Sequence, residues 1–230
     1  MYLLVSLTDV VQIHPTDFNK PGYRAIEDFI NAKYADKVIH KVGLCVAFHS
    51  IISTSEGLIG HGTGIVNVNV DFRLIVFRPF KGEIVSAIIT NAAPQVGIVL
   101  SHDFFEDVVV PPETLFQDTR WDRDENGTEL FIWYQKAADY DEPTPYYFDR
   151  AEKCLYRVEE EQWTDLSPQK QKPHSQFADQ GDDLEGRRPP YLIRGSMMLS
   201  GLGPTLWWST DEIDGPDDDV DGDVDMDAQP

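Results

Sequence analysis

The chain has 230 residues, 41% of them hydrophobic, and a formal net charge of -21. That length admits one large domain or two small ones, and the apolar share is enough for packed cores. The acidic balance excludes a protein that wraps nucleic acid on a broadly basic surface. Ten of the acids fall in 209–230, where there is no Lys or Arg, leaving -11 on the rest.

At the N-terminal end, Tyr2-Leu3-Leu4-Val5 lacks a basic flank and is soon interrupted by Thr8 and Asp9. It reads as a strand rather than a secretory leader. Leu3, Val5, Leu7, Val11 and Ile13 share one parity, and Asp9 breaks that face, which predicts a bulge or strand end there. Pro21 suits a first helical position, where its missing N–H costs nothing. Tyr23, Ile26, Phe29, Ile30 and Tyr34 then recur at spacings of three and four, a helical pattern. A second strand over 42–52 puts Val42, Leu44, Val46, Phe48 and Ile52 on one face, with Cys45 as a small buried hydrophobe. Residues 56–64 form a glycine-rich hairpin tip. The third strand alternates Val66, Val68, Val70, Phe72, Leu74 and Val76 with Asn67, Asn69, Asp71 and Arg73. That period of two belongs to a sheet with one wet face.

Arg78-Pro79-Phe80 breaks this strand, and Lys81-Gly82-Glu83 opens a second β unit almost at once. The sequence thus predicts two β-rich modules, 1–80 and 81–208, held by a short stiff joint. In the second module, apolar runs at 84–90, 96–100, 107–110, 131–134, 153–158 and 191–208 alternate with turn residues, which suggests a small barrel. Residues 164–190 are rich in Gln, Asp, Pro and Lys and read as a flexible insertion; 209–230 read as a disordered acidic tail.

No catalytic or metal constellation stands out. Histidines 14, 40, 49, 61, 102 and 174 are scattered, and Cys45 and Cys154 have neither metal spacing nor a disulfide framework, which fits a reducing compartment. No run is long enough for a membrane span. The glycine-rich run 60–64 lacks the Gly-Lys-Ser/Thr ending of a phosphate loop and precedes a strand, and no Gly-x-Ser-x-Gly elbow accompanies it. Asn126-Gly127-Thr128 matches a glycosylation sequon that should stay unmodified without a secretory signal. The run 102–107 pairs acids with aromatics and is expected to place Phe104 or Phe105 at the barrel mouth, either plugging it or stacking on a base. Lys136, Arg150, Lys153 and Arg157 form a weak basic strip, either a solvated face or a set of phosphate contacts.

Several ordered segments resemble the larger stalk subunit of nuclear DNA-directed RNA polymerases, a family with a counterpart in the archaeal RNA polymerase. They are Asp9-Val10-Val11, Lys33-Tyr34-Ala35-Asp36-Lys37-Val38, Val42-Gly43-Leu44-Cys45, Val76-Phe77-Arg78-Pro79-Phe80, Phe104-Phe105-Glu106-Asp107 and Pro111-Pro112-Glu113. Gly195-Ser196-Met197-Met198 with Gly201-Leu202-Gly203 and Trp207-Trp208 resembles the RNA polymerase III type. The resemblance implies an α+β N-terminal module followed by an all-β OB-fold barrel of the ribosomal-S-one type. It implies a non-catalytic nuclear subunit without cofactors or metal, paired as a heterodimer with the smaller stalk subunit and joined to the RNA polymerase III core. Initiation factors and nascent RNA are further expected partners. The docking tip would be Gly57, Leu58, Ile59, Gly60, His61, Gly62, Thr63 and Gly64. Barrels of this type carry an aromatic on the second strand; here Gly97-Ile98-Val99 stands there, leaving Phe104, Phe105 and Trp133 as substitutes. The competing expectations are a free single-stranded RNA-binding OB-fold factor and an RNA-processing enzyme with an accessory barrel.

Overall fold

A computed structural model describes residues 1–60, 62–136, 143–166 and 189–208. The first sheet is built from β1 (Tyr2–Ile13), β2 (Lys37–Ile39), β3 (Gly43–Thr54), β4 (Leu58–Ile59) and β5 (Val66–Phe77), with α1 (Gly22–Tyr34) between β1 and β2. Strand order is β1-β5-β3-β2, with β4 folded back onto β5, and neighbours run antiparallel. The alternation of β5 has the expected consequence. Val68, Val70, Phe72, Leu74 and Val76 are buried on one face, against Val11 and the Ile26 and Ile30 side of α1.

Three expectations are corrected here. Asp9 neither ends nor bulges β1, because β1 pairs with β5 in unbroken register from Tyr2↔Phe77 to Ile13↔Val66. Its carboxylate is satisfied within the strand by Lys33 Nζ and by the Tyr34 hydroxyl, 2.6 Å away. Second, β3 carries irregularities at Cys45/Ala47, Phe48/Ser50 and Ile51/Ser53, each of which resets its parity. Val46 and Ile52, expected inside, are exposed. Third, Pro21 caps α1 rather than opening it, and Tyr23 faces water.

The second unit contains β6 (Ile84–Ala93), β7 (Gly97–Ser101), β8 (Val108–Val110), β9 (Thr119–Arg123), β10 (Glu129–Gln135), β11 (Thr144–Tyr147), β12 (Lys153–Trp163), β13 (Tyr191–Ser196) and β14 (Gly203–Pro204). Five of these run in the order β13-β8-β7-β6-β12, and β12 pairs back to β13, which closes a barrel. β13 and β8 are parallel; the other ring pairs are antiparallel. Ile89, Ile98, Leu100, Val108, Val110, Cys154, Tyr156, Val158 and Ile193 fill the interior. Gly97, at φ +99°, is required for closure: a Cβ there would lie 2.1 Å from the Val110 carbonyl oxygen.

The strand over 131–134 is not a barrel stave, as the spacing of strands suggested. β9, β10 and β11 form their own antiparallel sheet between β8 and β12, and β10 lends Phe131 to the barrel core. Trp163 and Tyr191 are register partners at the ends of β12 and β13. The chain therefore leaves and re-enters the barrel at one point around the segment read as an insertion. Most of that segment, 167–188, and the tail 209–230 lie outside the described residues.

Candidate interaction surfaces

The joint is where the two sheets meet. Phe77 ends β5 with its ring on the face opposite α1, the same face as its pairing partners Tyr2 and Leu44. Loop 102–107 of the barrel covers it. Ring centroids of His102, Phe104 and Phe105 lie 5.6, 5.1 and 5.3 Å from that of Phe77, which is fully buried. Leu44 and Phe77 thus belong to the barrel's core although their strands belong to the first sheet.

Arg78 adds a polar fastening. Its Nε and Nη2 donate to the Glu161 carboxylate at 3.1 and 2.9 Å, and its Nη1 donates to the Lys41 carbonyl at 2.8 Å. The guanidinium also lies over the Trp163 ring, and Trp163 stacks on Tyr191 at 4.1 Å. The Tyr191 hydroxyl donates to the same Glu161, and the phenol's pKa is raised first by burial and then by this hydrogen bond. Arg78 therefore ties the break to the β2–β3 turn and to β12, and Glu161 carries the network on to Tyr191 of β13. The Met1 ammonium adds a contact to Glu83 at 2.7 Å.

Buried titratable groups here are suited to packing rather than reaction. His102 Nε2 lies 2.8 Å from the Tyr156 hydroxyl. Burial pushes the imidazole below its ordinary value, against weaker opposing contributions from a Ser86 backbone hydrogen bond and Asp103. Burial pushes the Cys154 thiol up to about 12, with Glu152 adding to it, so it stays protonated and unreactive at neutral pH. Among the described residues no group of three or more His, Cys, Asp and Glu is arranged to hold a metal ion. No helix among them is long and apolar enough to cross a membrane.

The candidate RNA-contact residues are spread over several elements. Phe105 is buried against Phe77 and Tyr191, so it plugs the joint and is removed as a contact residue. Phe104 beside it remains exposed and also reaches Tyr2. Trp133 stands on β10, stacked between Phe116 at 4.4 Å and Trp207 at 5.6 Å, and is only partly open. Lys136 follows β10, away from the barrel staves. Lys153 and Arg150 are exposed, Arg150 donating to Asn91 at 2.6 Å. Arg157 pairs with Glu159 at 2.7 Å, which cancels its charge locally.

The glycine-rich tip is a small hairpin. Leu58 pairs with Asn67 and Ile59 with Val66, and the Gly60 N–H donates to the Ile65 carbonyl. Gly62 and Gly64 take positive φ, which lets the chain reverse without side-chain strain. Leu58 and Ile59 are 71% and 70% exposed. Gly57, Gly60 and Thr63 support the turn, whereas His61 lies outside the described residues. The sequence reading missed Phe77 and the Arg78–Glu161–Trp163 set. The signal for Phe77 was present: Val76-Phe77 is an apolar doublet ending an otherwise alternating strand.

An N-terminal sheet backed on one helix and followed by a small closed barrel defines a two-part, β-rich architecture. Residues 8–64 match the SHS2 domain found in the N terminus of Rpb7p and Rpc25p. Residues 83–208 match the model for RNA polymerase III subunit Rpc25. The chain is 35% identical over 208 residues to DNA-directed RNA polymerase III subunit rpc8 of Schizosaccharomyces pombe, covering 90% of this chain and 100% of that protein. It is 32% identical to the RPC8 subunits of Saccharomyces cerevisiae and Bos taurus, covering 90% and 91% of this chain and 100% of each. The chain belongs to the RNA polymerase III subunit Rpc25 family.

Proposed function

We propose that this protein is a non-catalytic stalk subunit of nuclear DNA-directed RNA polymerase III. It pairs with the smaller stalk subunit, projects from the polymerase core and supports initiation. The observation that carries this reading is the likeness to RNA polymerase III subunits along their whole length. The ring order β13-β8-β7-β6-β12, with its single parallel pair, favours an OB-fold barrel of the ribosomal-S-one type. Residues 1–80 are proposed as the polymerase-docking module, with the exposed Leu58–Ile59 tip meeting the core. Tyr2 and Leu4, both exposed on β1 beside the joint, are proposed as the patch that the smaller subunit covers.

Co-expression with the smaller RNA polymerase III stalk subunit tests the reading. The pair should co-purify at one-to-one ratio, with a Tm above that of the single chain, because a partner binding only the folded state stabilises it by mass action. Equal Tm and separate elution would reject the heterodimer. Contact with nascent RNA is proposed through Phe104 and the exposed cations Arg150 and Lys153. Weak binding of short single-stranded RNA is expected, with a log–log salt slope of about -0.7 per phosphate neutralised. Tight, salt-steep binding by the isolated chain would instead favour a free RNA-binding factor.

A further inference from the structure

A groove of about 750 Å³ opens beside the joint, on the β2 side of the first sheet. Val38, Leu44 and Phe105 give it an apolar floor, and Asp36, Asp103 and Glu106 stand among its lining carboxylates. These three make no ion pair with any described residue. Lys37 and His40 also line it. The Lys37 ammonium donates to the Lys33 carbonyl at the end of α1, 2.6 Å away, and the His40 ring packs on Trp163. The acidic rim is therefore not answered by these neighbours.

The wall of the groove matters as much as its charge. β2 is the last strand of its sheet, so one side of its backbone has no strand partner among the described residues. An open sheet edge accepts an extended chain through main-chain hydrogen bonds, while alternate side chains supply the choice of ligand. Val38 and Leu44 are register partners and share one face, so an apolar side chain of such a ligand set beside Val38 borders an apolar floor that continues inward to Leu44. Nucleic acid is disfavoured by the sign of the rim.

We propose that this groove takes an extended basic segment of another polypeptide, added to the β2 edge with apolar side chains on Val38 and Leu44 and Lys or Arg side chains on Asp36, Asp103 and Glu106. The proposal does not depend on the polymerase reading, because it is tested on the full chain alone.

The probe is a short fluorescein-labelled peptide alternating Lys and Val, followed by fluorescence anisotropy. It should bind saturably, more weakly as salt rises, and more tightly than a Lys–Ser peptide. Asp36→Asn, Asp103→Asn and Glu106→Gln together should weaken it roughly tenfold, as expected from three exposed charge pairs. Asp36 and Asp103 sit at φ 60° and 65°, a region Asn tolerates, so the variant should keep its fold; its Tm is checked, and Glu106→Gln alone serves if it falls. Asp217→Asn, Asp218→Asn and Asp219→Asn together should leave binding unchanged. Unchanged affinity in the groove variant, equal loss in the tail variant, or equal binding of a Glu–Val peptide would each overturn the proposal. A Lys–Val peptide N-methylated along its backbone should bind much less well; equal binding would overturn the strand addition.

Discussion

The two sheets of this protein handle their edges in opposite ways. The barrel closes on itself through β12 and β13 and leaves no open stave in its ring. Among the described residues the first sheet stays open, with twelve-residue β1 at one edge and three-residue β2 at the other. Tyr2, Leu3, Leu4 and Val10 of β1 are all exposed, and β1 carries no Lys or Pro to discourage pairing. A closed barrel satisfies its own backbone, whereas an open sheet with an apolar edge holds surface in reserve. The proposed attachment surfaces accordingly lie on the first sheet, while the closed barrel is the stiffer unit. Phe77 and Arg78 decide whether the two act together.

The strongest way to break that coupling is Phe77→Ala. The ring is fully buried among four aromatic neighbours from both sheets. Truncating such a residue costs about 3–5 kcal/mol. Urea unfolding should move to lower midpoint and split into two steps, the first sheet melting before the barrel. A single, unshifted transition would show that the joint carries little of the stability. Arg78→Ala should cost less, about 1–2 kcal/mol. Its pair with Glu161 is bidentate, but Arg78 is 35% exposed and solvent screens it. Arg78→Lys should recover only part of the loss, because an ammonium cannot hold Glu161 and the Lys41 carbonyl in one fork.

Much of this was legible in the residues, and the exceptions have physical causes. The period of two in β5 was plain because one face is packed and the other wet. α1 was plain for the same reason at its own period. In β3 the irregularities reset the parity, and no single residue in it announces them. Ring closure was hidden because it depends on β12 meeting β13 across a segment of unrelated composition. Phe104-Phe105 could be placed at the barrel mouth from sequence, but not sorted. Only the fold shows that Phe105 points into the joint while Phe104 stays outside. The strip Lys136, Arg150, Lys153 and Arg157 could be named from sequence but not located, because Lys136 follows β10, Arg150 precedes β12 and Arg157 has Glu159 as a neighbour.

Acid should separate the two regions more gently. His102 lies at the joint with its pKa lowered chiefly by burial. As pH falls below the ordinary histidine value of 6.5, the unfolded chain takes up a proton that the folded chain refuses. Stability should therefore decline from about pH 6.5 downward until the folded ring protonates, and His102→Phe should flatten this slope. In the first sheet, burial raises the Asp9 carboxyl, but hydrogen bonds from Lys33, Tyr34 and the Val10 amide outweigh it and hold it below 3.8. Its contribution is complete above that value and disappears only as pH falls further, through the lowered folded value. Urea midpoints across pH should show the His102 loss first and the Asp9 loss later. The reverse order, or a slope unchanged in His102→Phe, would contradict this assignment.

The smallest expected change in stability falls at the most exposed apolar residues of the whole described chain. Leu58 and Ile59 sit on a two-residue strand at the end of the first sheet, far from α1's apolar face in sequence and open to water. Replacing both by Ser removes little buried area, so the unfolding free energy should change by no more than an ordinary surface substitution, about 0.5 kcal/mol. Two adjacent exposed aliphatic side chains suit the docking role proposed for this tip. The double substitution should accordingly leave pairing with the smaller subunit intact while weakening retention on the polymerase core in a pull-down. Loss of folding would assign the tip to the sheet's own stability, and unchanged retention would move the docking surface elsewhere on the first sheet.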